Sequence, residues 1–315
     1  MPAILLTNSA FAVPALFALR DQWQAVFTST PTSTDYPELA LASASAGATL
    51  HTLAPGELFA EAAKMLASDP SLQLVCFGFG SRVPASLLES YGDRCYNVHF
   101  SLLPRYAGPI PVFWQLRAGD LNGGISIHLL TEKFDSGPIA AQQALRALPG
   151  ETYGLYSARL AQAAVPLLRN LIAMPPGRAG LKAQDPALRT YQHKPREKDL
   201  LIDWKHMSAS DIENLVNACN PIAVGAWTWF AGTPIQLLEV NPADGSIPAL
   251  PGTIVHADTA QGVFVNCCDD KLLRVNIAKL PQGILSGGKL AALGFRKGAR
   301  FENAERPATT TTVSI

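Results

Sequence analysis

The sequence predicts an α/β fold in two parts: a mostly parallel sheet covered by helices, then a smaller β-barrel. Three observations carry this reading. Short apolar runs alternate with longer helix-period stretches through most of the N-terminal half, the signature of β-α-β units. A Pro/Gly-rich and then polar stretch, Met174 to Asp199, breaks that pattern. Beyond it, short strand-like runs separated by turn residues dominate, as in a small barrel.

The elements follow in order. Ala3 to Thr7, Ala25 to Ser29, Thr49 to Leu53 and Leu72 to Phe77 read as buried strands. Gly56 to Ser68 carries Leu58, Phe59, Ala62 and Leu66 near helical spacing, and Asp69-Pro70 stops it. Cys95 to His99 and Ile125 to Leu130 are further strands, and Thr152 to Ala173 is a long amphipathic helix. The domain boundaries fall at 1–180, a linker at 181–205, and 206–315. In the last part, a helix over Ser208 to Cys219 opens on Ser208 as N-cap with Asp211 three residues on. Five short strands then run Ala226 to Phe230, Pro234 to Val240, Gly252 to His256, Gly262 to Asn266 and Leu272 to Ile277.

Composition excludes several classes. The chain has 315 residues, 48% hydrophobic and 16% charged, so disorder, collagen and coiled coil do not fit and two domains do. Its 25 basic residues balance 25 acidic ones, so no global field draws a polyanion. The cysteines (Cys76, Cys95, Cys219, Cys267, Cys268) show no C-x-x-C pair and no zinc spacing; they read as reduced core thiols, and no metal is expected. Adjacent Cys267 and Cys268 point to opposite faces of a strand. The N-terminus has no basic n-region, and Thr7, Asn8, Ser9 and Pro14 break its apolar start. Neither signal peptide nor membrane span fits, so a cytoplasmic location without a membrane partner is expected.

The chemistry concentrates in Asn97-Val98-His99-Phe100-Ser101-Leu102-Leu103-Pro104-Arg105-Tyr106. Alternate residues of a strand share a face, so Asn97 and His99 point the same way at a strand's carboxyl end, where open α/β sheets bind ligands. Thr131 to Gly137 presents Asp135 on a loop after the next strand. An amide, an imidazole and a carboxylate suit acyl transfer to an amine, which must lose a proton while the carbonyl oxygen becomes negative. Either His99 or Asp135 could be the formal base. His128, mid-strand, reads as structural, and Trp114, Trp227 and Trp229 as core aromatics. Gly78-Phe79-Gly80 lacks the third glycine of a dinucleotide fingerprint.

This segment resembles the signature of the formyltransferase family, an N-x-H pair, then S-L-L-P, then an aspartate in D-[ST]-G; Asn97, His99, Ser101 to Pro104 and Asp135-Ser136-Gly137 match in type, order and spacing. Leu201-Ile202-Asp203-Trp204, Ala218 to Ala226 and Pro251-Gly252-Thr253-Ile254 are similar to the linker and barrel of the family's transfer-RNA branch. The resemblance implies a Rossmann-like first domain, an OB-like barrel, and 10-formyltetrahydrofolate as co-substrate. It also implies pterin contacts from Phe79, Gly80, Ser81, Arg82 and Val83, and from Leu130, Thr131, Lys133 and Phe134.

Two departures matter. Ala107-Gly108 follows Tyr106 where the family carries Arg-Gly. The transfer-RNA branch also carries a long basic insertion after its second strand, whereas Pro31 to Ala48 is short and holds no Lys or Arg. Phosphate contacts supply most nucleic-acid affinity, so a small amine or amino-sugar nucleotide is favoured as acceptor over aminoacyl-tRNA. Lys289, Arg296, Lys297 and Arg300 read as a solvated face. The competing readings are a methionyl-tRNA formyltransferase, a 10-formyltetrahydrofolate hydrolase and an inactive folate-binding module.

Overall fold

A computed structural model describes residues 1–177 and 180–303. Residues 178, 179 and 304–315, at the predicted boundary and the end of the predicted last domain, lie outside the described residues. The elements are β1 Ala3–Leu6, α1 Val13–Ala18, β2 Trp23–Thr28, α2 Tyr36–Ser45, β3 Leu50–Thr52, α3 Pro55–Ser68, β4 Gln73–Phe77, α4 Ala85–Tyr91, β5 Cys95–His99, α5 Pro111–Arg117, β6 Gly124–Leu129, β7 Ile139–Ala144, α6 Tyr153–Ala173, α7 Ala209–Cys219, β8 Ala226–Phe230, β9 Thr233–Ser246, β10 Ile254–Asp258, β11 Gly262–Asn266, β12 Lys271–Leu280, β13 Gly283–Ser286, α8 Gly287–Ala292 and β14 Phe301–Glu302.

One compact unit comprises Met1–Pro111, Asn122–Ala147 and Ser157–His193. Its sheet runs β3-β2-β1-β4-β5-β6-β7. The first five strands pair in parallel and are Rossmann-like in order, while β6 and β7 pair antiparallel. β1 and β4 are buried throughout, as their unbroken apolar sequences require for a sheet covered on both faces. α3 turns Leu58, Phe59, Ala62 and Leu66 inward onto a cluster with Ile4, Leu74 and Cys76.

Several elements differ from expectation. The strand predicted as buried over Thr49 to Leu53 is β3, whose His51 and Thr52 are exposed because it is the sheet edge. Helices α1, α2, α4 and α5 and strand β7 go beyond the elements that the sequence pattern predicts. α1 is six residues long, α2 is rich in small residues, and β7 (IAAQQA) has weak strand propensity, so none shows a clear period. Part of the segment that reads as linker is built into this unit. Lys182 and Ile139 exchange two backbone hydrogen bonds of 2.8 Å, and Ala107 bonds the backbones of Thr190 and Gln192.

The second unit comprises Val112–Leu121, Leu148–Tyr156 and, of the described residues beyond them, 194–303. Its antiparallel sheet, β10-β11-β12-β9-β8-β14 with β13 on β12, curls into a half-barrel, and three register shifts interrupt the long β9–β12 pairing. α7 opens on Ser208, and Ser208 and Asp211 form the expected capping box. The fully buried Trp204 stacks on Phe301 and donates to Thr228 Oγ1 at 2.8 Å. Trp114, Trp227 and Trp229 are only partly buried. Within β8 the strand alternation turns Thr228, not the two tryptophans, inward.

Candidate active site

β5 delivers Asn97 and His99 to its carboxyl end, beside the end of β4, and the antiparallel β6 lies on its other side. The turn that follows is held by buried serines. Ser126 Oγ donates to the Ser101 carbonyl at 2.7 Å and accepts from Leu103 N–H at 3.1 Å, and Ser101 Oγ donates to the Arg105 carbonyl. Tyr106 then adopts a φ of 53°, a left-handed conformation that costs a non-glycine residue about 1 kcal/mol or more. Its carbonyl accepts the Nε2–H of His99 at 2.9 Å. That bond leaves Nδ1 of the neutral imidazole bare.

Asp135 comes from the loop after β6, also with positive φ (50°). Its Oδ1 lies 3.7 Å from His99 Nδ1 and 3.6 Å from His128 Nε2, and its Oδ2 accepts the Gly108 N–H at 2.8 Å. The loop needs Gly137, since a Cβ there would meet the Leu129 carbonyl. Asn97, His99 and Asp135 all line one cavity of about 380 Å³. Its other walls include 78–83, 130–132 and Phe134, with Leu88 and Tyr191. Arg82 crosses between the loops, donating to the Glu132 carbonyl at 2.6 Å with its guanidinium 5.6 Å from the Phe134 ring centre.

Residues 33–172 match the formyl transferase family and residues 194–294 match the formyl transferase C-terminal domain. A methionyl-tRNA formyltransferase of Acidithiobacillus ferrooxidans is 31% identical over 237 residues, 75% of this chain and 74% of that protein. One from Coxiella burnetii is 32% identical over 222 residues, 70% of this chain and 69% of that protein. The chain belongs to the formyl transferase family. It is a folate-dependent formyl-transferring enzyme. Among solved structures, an N-formyltransferase from Helicobacter canadensis, in complex with folinic acid and dTDP-3-aminofucose, superposes with a TM-score of 0.62 at 15% identity, over 87% of this chain and 98% of that one. HypX from Aquifex aeolicus in complex with tetrahydrofolic acid gives 0.65 at 13% identity over 97% of this chain, which spans about half (51%) of HypX. These two likenesses concern the fold.

Electrostatics separates the two ionisable groups of the candidate site. Burial pushes the His99 pKa below the usual imidazole value, with Asp135 pulling the other way. Asp135 is held well below the usual carboxylate range: burial raises it, but the attraction of the His99 imidazole once it is protonated, with the Gly108 N–H, outweighs burial. At neutral pH an ionised carboxylate therefore faces a neutral imidazole.

Of the residues tied by resemblance to folate, Phe79, Gly80, Ser81, Arg82, Val83, Leu130, Thr131 and Phe134 line the cavity. Lys133 is not among the lining residues. Its side chain is exposed and its carbonyl closes the loop, accepting from Thr131 and Ser136 hydroxyls. Residues that sequence reasoning does not place at the site are His128, Gln184, Arg189 and Tyr191. Gln184 donates to the carbonyls of Asp135 (3.0 Å) and Gly137 (2.7 Å), and Arg189 to those of Asp135 (3.0 Å) and Phe134 (2.9 Å). The strap 182–192 thus braces the Asp135 loop. No side-chain pattern marks a segment whose partners are backbone carbonyls.

Among the described residues, no helix is long and apolar enough to cross a membrane.

Proposed function

We propose that the enzyme moves the formyl group of 10-formyltetrahydrofolate to a primary amine of a small metabolite, such as an amino-sugar nucleotide, in the cytoplasm. The observation that carries the reaction is the convergence of Asn97, a neutral His99 and an ionised Asp135 on one cavity. The cavity fits a flat heterocycle. Phe79, Val83, Leu88 and Phe134 supply apolar surface, beside the polar Ser81 and Thr131.

The residues then divide the work. As the amine nitrogen bonds to the formyl carbon, Asn97 Nδ2–H donates to the carbonyl oxygen as it becomes negative. His99 Nδ1 takes the amine proton and Asp135 stabilises the resulting imidazolium, so His99 and not Asp135 is the formal base. The imidazolium returns that proton to N10 of the folate as the carbon–N10 bond breaks. In this reading the catalytic domain of residues 1–180 is completed by the strap, and the half-barrel is OB-like, supported by the Thr253–Arg300 bridge linking the residues beside β10 and β14.

The acceptor choice rests on the segment between β2 and β3. It forms α2 and carries no Lys or Arg from Pro31 to Ala48, so it offers no basic grip for an acceptor stem. The second reading is initiator methionyl-tRNA, favoured by the 31% identity to methionyl-tRNA formyltransferases. The test is loss of 10-formyltetrahydrofolate absorbance with the full chain, against charged initiator tRNA and a panel of amino-sugar nucleotides. Turnover with the sugars alone supports the small-amine reading; turnover with the tRNA alone replaces it. Formate release without any acceptor would make the enzyme a hydrolase.

A further inference from the structure

His128, fully buried in the middle of β6, is the direct cross-strand partner of Asn97 on β5. Its Nδ1 lies 2.8 Å from the Leu129 carbonyl oxygen, which can only accept, so Nδ1 carries a proton. Its Nε2 lies 3.2 Å from Asn97 Nδ2. If that is the ring's one proton, Nε2 offers a lone pair, and the amide nitrogen of Asn97, not its oxygen, satisfies it. A flipped amide would set Oδ1 against that lone pair. The second hydrogen on the same Nδ2 is then left for the cavity that Asn97 lines.

We propose that His128 is a positioning residue, in its Nδ1-protonated tautomer, that fixes the Asn97 amide with its nitrogen toward the formyl oxygen. This rests on the formyl-transfer reading, which needs Asn97 to donate and not accept. Without His128 the amide has no neighbour that distinguishes its two ends on this side, and part of the population presents Oδ1 to a developing negative charge. Asp135 Oδ1, 3.6 Å from the same Nε2, is the competing partner. A proton on Nε2 would serve that carboxylate and release Asn97.

Two measurements test this. His128→Leu, which keeps a bulky apolar side chain but removes the acceptor, should lower kcat about tenfold, the worth of one hydrogen bond, with KM for the folate unchanged. In an Asn97→Ala background the same substitution should change kcat less than about twofold, because nothing remains to orient. His128→Gln, which restores an acceptor oxygen, should recover most of the rate. Equal losses in both backgrounds, or no loss in either, would overturn the proposal in favour of a packing role. Selective ¹⁵N-histidine NMR of the wild-type protein, assigned by the Gln variant, reads the tautomer without turnover. Nδ1 protonated and Nε2 bare supports the proposal; a protonated Nε2 overturns it. Failure of the formyl-transfer reading appears separately, as a wild-type enzyme that consumes no 10-formyltetrahydrofolate.

Discussion

Asp135→Asn tests the division of labour between His99 and Asp135 most sharply, because it removes a charge while keeping the shape. His99 Nδ1 and Asp135 Oδ1 are 3.7 Å apart in a largely buried site. At an effective dielectric of about 20, unit charges about 4 Å apart attract by about 4 kcal/mol. If the proton is half transferred to Nδ1 in the transition state, about 2 kcal/mol is at stake, and kcat should fall roughly 30-fold; full transfer would give roughly 1,000-fold. The pH profile supplies a second, independent readout. With His99 as the proposed base its neutral form is the active one, so the acid limb of kcat should report its ionisation. Asp135 raises the His99 pKa against the effect of burial, so its loss should move that limb to lower pH. The assay is steady-state deformylation of 10-formyltetrahydrofolate across the neutral and acid range, with folding checked by thermal unfolding. A variant within about fivefold of wild type, or an acid limb displaced upward, would refute His99 as the base.

Further outcomes follow from the same geometry. The His99 pKa lies below its unfolded value of about 6.5, so on acidification the unfolded chain takes the proton first. Its contribution is complete above about 6.5 and is lost as pH falls from there toward the folded value. His99→Asn should flatten that part of the curve in urea titrations, and an unchanged slope would contradict it. Arg189→Ala frees the carbonyls of Asp135 and Phe134 and should lower kcat about tenfold and stability by about 1–2 kcal/mol, with unaltered kcat counting against the strap. Gly137→Ala should lower stability by about 3 kcal/mol, since its Cβ meets the Leu129 carbonyl. By contrast Gly56→Ala, opening onto free space in α3, should be neutral or stabilising by up to about 1 kcal/mol; similar chemical-denaturation midpoints for the two would refute the contact.

Much of the site is legible in the residues themselves. Asn97 and His99 share a face because strand side chains repeat every two residues, and they stand at the carboxyl end of β5 as expected. Asp135 and the two loops tied to the folate by resemblance converge on the same cavity, apart from Lys133. The capping box at Ser208 is readable from two residues because its bonds span a single turn. The sequence does not place His128 beside Asn97, for a specific reason. The apolar runs point to a mostly parallel sheet, and only the reversed direction of β6 puts His128 opposite Asn97. The strap reads as linker because main-chain pairs such as Ile139 with Lys182 leave no trace in side-chain pattern.

The sequence by itself determined which functional groups are available and which lie close along the chain: an amide and imidazole two residues apart, a carboxylate before a required glycine, and alternating apolar runs that commit the N-terminal half to an α/β sheet. Local geometry sets those features, so local residues reveal them. Only the tertiary structure decided which nitrogen of His99 is bare, which residue lies across the sheet from Asn97, and that residues far beyond the motif brace Asp135. Those outcomes depend on strand direction and on backbone hydrogen bonds between distant segments. The backbone groups are alike in every non-proline residue, so their pairing becomes visible only once the chain has folded.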